Sequence, residues 1–264
     1  MIIRKEQLEA FERSAIQAFE ERTYQHLQQW FPHHCELLGE AQMRRVILYG
    51  WQKAKIYELT AECCLRSYIE FMCLLGGGFD SDILLPWAAD ILKDRSSDQI
   101  VRGDQLYHRT WEYVDRVAKD YRDASGQPTT DRFMKDLRQI RHHADTLITP
   151  SAAPSFVESQ WMRLQRLFPA KCEYAGQHRV RESIATGVDA AHSYGITTER
   201  GLILYTSMSF VLGGGFDDDP LLPWASAALR DPAIENEGQR VDRLYAQGVS
   251  FLRRWWKTSS EQEI

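Results

Sequence analysis

Residues 76–88 read GGGFDSDILLPWA, and residues 213–225 read GGGFDDDPLLPWA. The second stretch repeats the first, so that Gly213 corresponds to Gly76, and the match continues on the N-terminal side at the same offset without a gap. From Phe31 to Asp94, nearly half of the positions carry the same residue as the equivalent position of the second stretch. Self-similarity at one fixed offset is typical of a repeated structural unit. The sequence therefore predicts that whatever one unit does could be done at two places.

The length of 264 residues gives room for two such units, each with an apolar core of its own. We predict one unit over residues 1–124 and a second over residues 154–264, with a linker over residues 125–153. Apolar residues make up 44% of the chain and charged residues 26%, as in an ordinary globular protein. The net charge of −5 offers no basic surface of the kind that nucleic acids require, so we predict no nucleic-acid partner.

The sequence predicts neither membrane insertion nor secretion. Its first residues turn polar at once and lack the apolar core of a signal peptide. The longest apolar stretch, residues 201–212, contains several polar residues and is too short to span a bilayer. The five cysteines are an odd number, and four of them lie in the first unit, whereas a repeated disulfide framework would place pairs in both units. These features predict a cytoplasmic protein.

Apolar residues recur at helical spacing along the chain, and no run alternates apolar and polar residues between turn signals as strands do. We predict an all-α fold of two helical-bundle units in tandem, joined by a connecting helix. In each unit a largely apolar central helix has its N-cap at Thr60 or Thr197 and ends at the triple glycine. The other predicted helices cover residues 6–30, 40–56 and 98–121, their counterparts near 156–167, 178–193 and 235–257, short helices at 88–89 and 225–226, and a connecting helix at 130–147.

The repeated loop is the strongest candidate for a functional site. Its acidic side chains could offer oxygen ligands to Ca²⁺ or Mg²⁺, or could act as a paired general acid and base. A calcium loop would also end in a bidentate glutamate, and this loop continues with Leu-Leu-Pro-Trp instead. The candidate residues of the motif, which we also consider for partner binding, are Phe79, Asp80, Asp82, Trp87, Phe216, Asp217, Asp219 and Trp224.

A structural role explains the same loop with fewer assumptions. Asp219 followed by Pro220 is the pairing expected where a helix begins. Asp80 and Asp217 could accept amide hydrogen bonds in Asx turns, and the aromatic residues could anchor the loop to the core. We therefore interpret the loop first as scaffold, next as a partner-binding surface, and last as a metal or catalytic site.

Other clusters of reactive side chains are weaker candidates. A zinc site would draw on His33, His34, Cys35, Cys63 and Cys64, but four of these five positions carry other residue types in the second unit, and the spacing is not that of a zinc finger. No nucleophile elbow, phosphate-binding loop, dinucleotide fingerprint or zinc-protease helix occurs. We predict no metal, no cofactor and no enzymatic activity.

Two further clusters have plain structural interpretations. His142 and His143 lie in the predicted connecting helix, where we expect a solvated face. The run Arg253–Lys257 contains two tryptophans that we interpret as the closing layer of the last helix, with cations suited to its C-terminus. A membrane-surface role for this run is the alternative, and the modest local charge argues against it.

Three segments of the chain resemble a poorly characterised bacterial family. They are Ile3–Phe11, Tyr194–Arg200 and Val211–Ala225, of which the Phe-Asp-x-Asp-Pro-x-x-Pro-Trp stretch is diagnostic. Members are small helical proteins, often of one unit, encoded near type VI secretion PAAR, VgrG and adaptor genes. This chain departs from them by carrying two units, and by Ile83 where the second unit has Pro220. The resemblance implies a cytoplasmic accessory protein that binds a secreted effector or its loading machinery, and no catalytic residue is carried over from it.

Three hypotheses about function follow. The first is a non-enzymatic binding protein, either an effector chaperone or adaptor or an immunity protein that neutralises a cognate toxin. Two linked units could present two sites and raise avidity. The second is a metal-dependent enzyme that uses the aspartate loops. The third is a structural oligomer, for which the sequence offers no heptad seam.

Overall fold

The computed structural model describes residues 5–121, 130–146 and 155–261. In these residues it contains thirteen α-helices, one short 3₁₀ helix and no strand, so the all-α prediction is confirmed. The helices are α1 (Lys5–Trp30), α2 (Pro32–Leu38), α3 (Glu40–Ile56), α4 (Glu62–Leu75), α5 (Pro86–Lys93), α6 (Gln99–Ala118), α7 (Thr130–Asp145), α8 (Phe156–Leu167), α9 (Pro169–Ala175), α10 (Gln177–Ser193), α11 (Glu199–Leu212), α12 (Pro223–Leu229) and α13 (Glu237–Glu261).

The bounds of the helices repeat the offset seen in the sequence. Helices α2, α3 and α4 recur as α9, α10 and α11, and both ends of each helix keep the offset that relates Gly76 to Gly213. Helix α12 starts at the same offset from α5, whereas α13 starts one position later than that offset places it, in agreement with one extra residue in the loop before it. We refer to residues 5–121 as the first half and to residues 155–261 as the second half.

Two short helices, α2 and α9, are absent from the sequence-based prediction, which read the Phe-Pro pair only as a helix stop. The pair does end one helix, because Pro32 and Pro169 donate no hydrogen bond. Proline is also well suited to the first position of a helix, and each of these prolines begins the next one. Gly39 and Gly176, both with positive φ, then end these helices.

The predicted N-caps of the central helices are wrong by one residue. Helix α4 has Ala61 as its N-cap, with no side-chain hydrogen bond, and the Gln99 side chain accepts from the backbone N–H of residues 60 and 61 instead. Helix α11 has Thr198 as its N-cap, and its hydroxyl accepts from the Gly201 N–H. Each helix start is therefore secured partly by a side chain from the following long helix, Gln99 of α6 or Glu237 of α13.

The two central helices differ in how completely they are enclosed. In α11 every residue from Gly201 to Phe210 is buried. In α4 one face stays open, with Cys63 and Leu74 exposed. The difference comes from α7, the connecting helix, which packs against α11 and buries Met134, Leu137, Ile140 and Ala144.

The two halves pack against each other because the C-terminal end of the long helix of each half, α6 or α13, lies on the other half. The C-terminal part of α6 lies on α9, where the rings of Tyr113 and Tyr174 are 5.1 Å apart. The C-terminal part of α13 lies on α2, where the rings of Trp255 and His34 are 3.8 Å apart. The two Pro-containing segments that the sequence suggested as linker boundaries, residues 125–128 and 150–154, lie outside the described residues.

Two remaining expectations can be compared with the structure. No helix among the described residues is both long enough and apolar enough to cross a bilayer. All five cysteines are free thiols. Burial raises the pKa of the Cys35 thiol to about 11 and that of Cys172 to about 12, as expected for packing residues rather than reactive ones.

Candidate functional site at the junction of the two halves

The two glycine-rich loops lie against each other where the halves meet. A Cβ atom on Gly78 would lie 2.5 Å from the carbonyl oxygen of Gly214, and one on Gly76 would lie 3.0 Å from that of Leu212. Gly76 and Gly213 also have positive φ angles of 100° and 104°. Glycine is thus required here both for the backbone conformation and for the close approach of two main chains.

Asp82 and Asp219 join the loops in a reciprocal way. Asp82 accepts from the Leu84 N–H in its own turn at 2.8 Å and from the Gly214 N–H of the other half at 2.9 Å. Asp219 likewise accepts from Leu221 N–H at 2.8 Å and from Gly77 N–H at 2.7 Å. Both carboxylates are buried, and burial raises the pKa of Asp219 although its two backbone hydrogen bonds oppose that shift.

The prediction that Asp219 and Pro220 begin a helix is therefore wrong. Helix α12 begins at Pro223 with Leu222 as its N-cap. Asp219 instead caps the preceding turn and reaches across to the other half. Sequence alone could not assign this partner, because a helix start and a tight turn both favour an aspartate with free amides nearby.

Asp80 is buried against the core of the first half. Its Oδ2 accepts from the hydroxyls of Tyr57 at 2.9 Å and Tyr68 at 2.8 Å, and lies 3.2 Å from the Lys53 ammonium. Burial is the largest cause of the raised pKa of both tyrosines, and their contact with Asp80 adds to it. The predicted Asx turn at Asp80 is wrong, because its carboxylate accepts from side-chain hydroxyls rather than from loop amides.

Asp217, the counterpart of Asp80, is less fully enclosed. It accepts from the Tyr194 hydroxyl at 2.8 Å, and burial followed by this bond raises the pKa of Tyr194 to about 12. Ala190 stands where the first half has Lys53, so the second half lacks this lysine. The Asx-turn prediction is wrong here too. Arg230 lies nearby and donates to the Tyr194 hydroxyl at 3.1 Å.

The aromatic residues of the motif anchor the loops to the core, as predicted. Phe79 and Phe216 are each 1% exposed and pack on the buried tyrosines Tyr68 and Tyr205, with ring centroids 5.0 and 5.2 Å apart. Trp87 is buried in the first half, and the partly buried ring of its counterpart Trp224 lies 6.0 Å from that of Phe251. Of the eight candidate residues, Asp82 and Asp219 bond across the junction, and most of the eight side chains lie inside the molecule.

A polar cavity of about 300 Å³ opens beside the two loops. Residues of both halves line it, and four of its lining residues in the second half are smaller than their counterparts in the first half. These are Ser183, Thr186, Ala190 and Ser209, in place of Val46, Tyr49, Lys53 and Met72. Asp217 and Tyr205 line the same cavity.

The histidines and cysteines considered for zinc are not brought together. His34 Nε2 lies 3.0 Å from the Cys73 carbonyl oxygen, and burial lowers the pKa of His34 to about 3. Cys63 and Cys64 lie next to each other, with their sulfurs 3.9 Å apart, and Cys64 also donates to the Gln99 carbonyl oxygen. Across the described residues no three His, Cys, Asp or Glu side chains form a group that could hold a metal ion.

The two remaining clusters are only partly described. In α7, His142 is exposed and His143 partly buried, with the His143 Nε2 2.8 Å from Arg166. Near the end of α13, Trp255 packs between His34 and Phe251. The side chains of residues 256 and 257 lie outside the described ones.

The sequence analysis missed two arginines, the buried Arg102 and its partly buried counterpart Arg240. Arg102 donates to the carbonyl oxygens of Tyr57 and Leu92, and Arg240 donates to those of Tyr194 and Ile234. Each arginine thus connects its long helix, α6 or α13, to the C-terminal end of α3 or α10 in the same manner. The available signal was that both arginines occupy equivalent positions, each the fourth residue of its repeated helix, in helices whose other charged residues mostly differ.

A second surface differs between the halves. On α6, Ile100, Tyr107 and Trp111 lie along one face and are 54%, 52% and 45% exposed. The counterpart of Tyr107 on α13 is Tyr245, which is partly buried and donates to the Leu137 carbonyl oxygen of α7 at 2.9 Å. The same kind of face is therefore covered by a helix in the second half and open in the first.

Comparison with known proteins gives no family for the chain, since no family model, curated protein or solved structure matches it.

Proposed function

We propose that the protein is a non-enzymatic protein-binding factor, and that the open face of α4 and α6 in the first half binds an amphipathic helix of its partner. The observation that carries this proposal is the covering of the corresponding face in the second half by α7. The packing of α7 on the second half is therefore an example, within the same chain, of how a partner helix would bind the first half. Helix-in-groove recognition uses apolar anchors at helical spacing, which α7 provides.

Apolar side chains form the proposed contact. In the second half they are buried under α7, and in the first half they are exposed. In the second half, Leu137 and Ile140 of α7 are almost fully buried. In the first half, Leu74 of α4 and Trp111 of α6 remain exposed, and Trp111 stacks edge-on with Tyr107 at 6.2 Å. Tyrosine and tryptophan are enriched where interfaces have most of their binding energy. These side chains are the anchors that a partner helix would cover.

The charge pattern specifies the chemistry of that partner. Asp242 of α13 pairs with Arg141 of α7 at 2.8 Å and also with Arg200. Its counterpart Asp104 has a largely exposed side chain that lies 3.6 Å from His108 Nε2, and Cys63 stands in place of Arg200. An arginine or lysine on the incoming helix would place a permanent cation there, as Arg141 does in the second half. The partner helix is thus apolar on one face with a basic residue at its edge.

The resemblance to a family encoded beside type VI secretion genes supports one role for such binding, that of an effector chaperone or adaptor. An accessory protein of that kind would hold a helix of the secreted effector until it is loaded. The net charge of −5 suits a basic partner segment. The cellular compartment that this role implies is the cytoplasm.

Site-specific photo-crosslinking in cells that encode the protein tests this proposal. A photoreactive phenylalanine analogue at Tyr107 should form an adduct with one protein, and mass spectrometry should place the adduct in a helical segment with apolar and basic residues. The matched control is the same analogue at Met162, which is 48% exposed on α8. The Trp111→Glu substitution should remove the Tyr107 adduct. Equal adduct formation at both positions, or persistence in the Trp111→Glu protein, would contradict the proposal.

An immunity role is the alternative within the same class, since neutralising a toxin also requires a protein interface. The two roles differ when the toxin domain is expressed alone in the cytoplasm. An immunity protein should restore growth, whereas an adaptor should leave toxicity unchanged and affect export only. The Trp111→Glu variant shows whether the rescue, if any, uses the same face.

The aspartate-loop enzyme is supported less well. The oxygens of Asp82 and Asp219 already accept backbone amides, and Oδ2 of Asp80 accepts two tyrosine hydroxyls. Such oxygens are engaged in holding the junction together. A metal-dependent role would require these bonds to be replaced.

A further inference from the structure

We propose that the cavity beside the two loops binds a primary alkylammonium group, and that the ammonium sits against Asp217 as the Lys53 ammonium sits against Asp80. This site is separate from the face of α4 and α6. The inference rests on a comparison of equivalent positions in the two halves. One half holds a cation of its own, and the other has the same acidic and phenolic groups with an open space beside them.

The first half shows what the arrangement binds. The Asp80 carboxylate receives two tyrosine hydroxyls and the Lys53 ammonium, which lies 3.2 Å from Oδ2. The Lys53 side chain is 27% exposed, so it enters from the surface and places its charged end at a buried carboxylate. A buried carboxylate is stabilised by such a paired, hydrogen-bonded cation.

The second half repeats the carboxylate and both tyrosines but not the lysine. Asp217, Tyr194 and Tyr205 correspond to Asp80, Tyr57 and Tyr68, whereas Ala190 replaces Lys53. Tyr205 is 1% exposed and lines the cavity. Burial is the largest cause of the raised pKa of Tyr205, and the charge of Asp217 and a hydrogen bond to Asp217 add to it, so both tyrosines of this half interact with Asp217.

Two cations lie near the cavity. Lys53 lines it and pairs with Asp80. Arg230 pairs with Asp218 at 2.7 Å and donates to the Tyr194 hydroxyl, and the charge of Asp217 is a smaller cause of its raised pKa after its bond to Asp218. Arg230 is not among the residues that line the cavity. Ala190, the counterpart of Lys53, does line the cavity together with Asp217.

The form of the cavity suits an unbranched chain that ends in an ammonium. Four small side chains line it, Ser183, Thr186, Ala190 and Ser209. The hydroxyls of the two serines and the threonine offer acceptors for the N–H groups that do not face the carboxylate. Primary ammonium groups have three such donors and remain protonated at neutral pH. A small diamine and the lysine side chain of a polypeptide share this chemistry.

Amide NMR titration of the full chain with 1,5-diaminopentane tests the proposal. We expect saturable shifts of the Gly214 and Gly215 amides, which line the cavity, in the millimolar range. The same titration with 1-pentanol and with tetramethylammonium should give no saturable shift there, because one lacks the charge and the other lacks the N–H donors. A parallel titration with Nα-acetyl-lysine N-methylamide shows whether a polypeptide lysine also enters.

Ala190→Lys gives the decisive variant, because it copies the first half. It should fill the site with its own ammonium, abolish diamine binding, and keep or raise the thermal midpoint. The matched control is Ala185→Lys, which adds the same charge to an exposed position of the same helix and should bind as the wild type does. Asp217→Asn should weaken binding by about tenfold or more. Absence of a saturable shift in the wild type, or unchanged affinity in the Ala190→Lys protein, would overturn the proposal.

Discussion

Asp82 and Asp219 hold the same position in the two halves, and each accepts a backbone N–H from the glycine loop of the other half, at 2.9 and 2.7 Å. The pair forms a closed, reciprocal contact between two segments that are far apart in sequence. Each carboxylate also caps its own turn. The same two side chains therefore shape the loops and fasten the halves together.

Replacing either aspartate should destabilise the whole molecule. Asp82→Ala or Asp219→Ala leaves two backbone amides without acceptors, both of them in buried residues for Asp219 and one for Asp82. Each unpaired buried group costs about 1–3 kcal/mol. Because the halves share this contact, we expect one cooperative unfolding transition in urea that shifts to lower concentration. Ser81→Ala, at an exposed residue of the same loop, should change the free energy of unfolding by less than about 0.5 kcal/mol. A loss no larger than that for both aspartate variants would contradict the assigned role.

Asp80→Asn should cost more stability than Asp217→Asn, although the two residues are equivalent in sequence. Asp80 binds two tyrosine hydroxyls and an ammonium, and removing its charge leaves Lys53 without its partner. We expect a loss of about 2–4 kcal/mol for Asp80→Asn and roughly half of that for Asp217→Asn. Chemical denaturation of both variants measures the difference. An enzyme that used these groups would instead lose activity with its stability nearly intact.

Two glycine substitutions should have opposite signs. Gly78→Ala places a methyl group 2.5 Å from the Gly214 carbonyl oxygen, so the two loops must move apart, and we expect a loss of at least about 2 kcal/mol. Gly103 lies inside α6, and an added Cβ there would meet no atom of a neighbouring element within 4 Å. Gly103→Ala should therefore stabilise the protein by about 0.5–1 kcal/mol. Thermal unfolding measures both changes in stability. A lower midpoint for Gly78→Ala reports the clash between the loops, and a higher midpoint for Gly103→Ala reports the gain in helix propensity.

His34 should make the stability depend on pH. Burial lowers the pKa of His34 to about 3, below the value of an unfolded chain, so the unfolded state takes up the proton first as pH falls. The stabilisation is complete above about pH 6.5 and is lost progressively as pH falls toward 3. Between pH 7 and pH 5 the loss should be about 2 kcal/mol.

The control for this prediction is His34→Gln, which keeps an N–H donor for the Cys73 carbonyl oxygen but does not titrate. Urea denaturation of both proteins at several pH values gives the two slopes. Other titrating groups contribute equally to the pH dependence of both proteins, so the difference between the two slopes is due to the His34 imidazole. Parallel slopes would show that His34 titrates normally in the folded protein.

Much of the local structure could be predicted from the sequence. Helical spacing gave the all-α class and most helix bounds, and the Gly-Gly-Gly run correctly marked the end of α4 and α11. The errors were short-range ambiguities. A Phe-Pro pair stops one helix and also starts the next, and either of the successive threonines Thr197 and Thr198 suits the N-cap of α11.

The tertiary structure alone decided which partners the repeated acidic side chains take. The amides bound by Asp82 and Asp219 lie 132 and 142 residues away along the chain, so no local pattern could identify them. The covering of α11 but not α4 also depends on where α7 packs.

The same is true of the cavity, since four small side chains make a space only when α10, α11 and the two loops come together. A sequence specifies helix periodicity through contacts between residues three or four apart, which are local. Which carboxylate receives a cation, and which is left open to one, depends on the sizes of side chains that meet only in the folded chain.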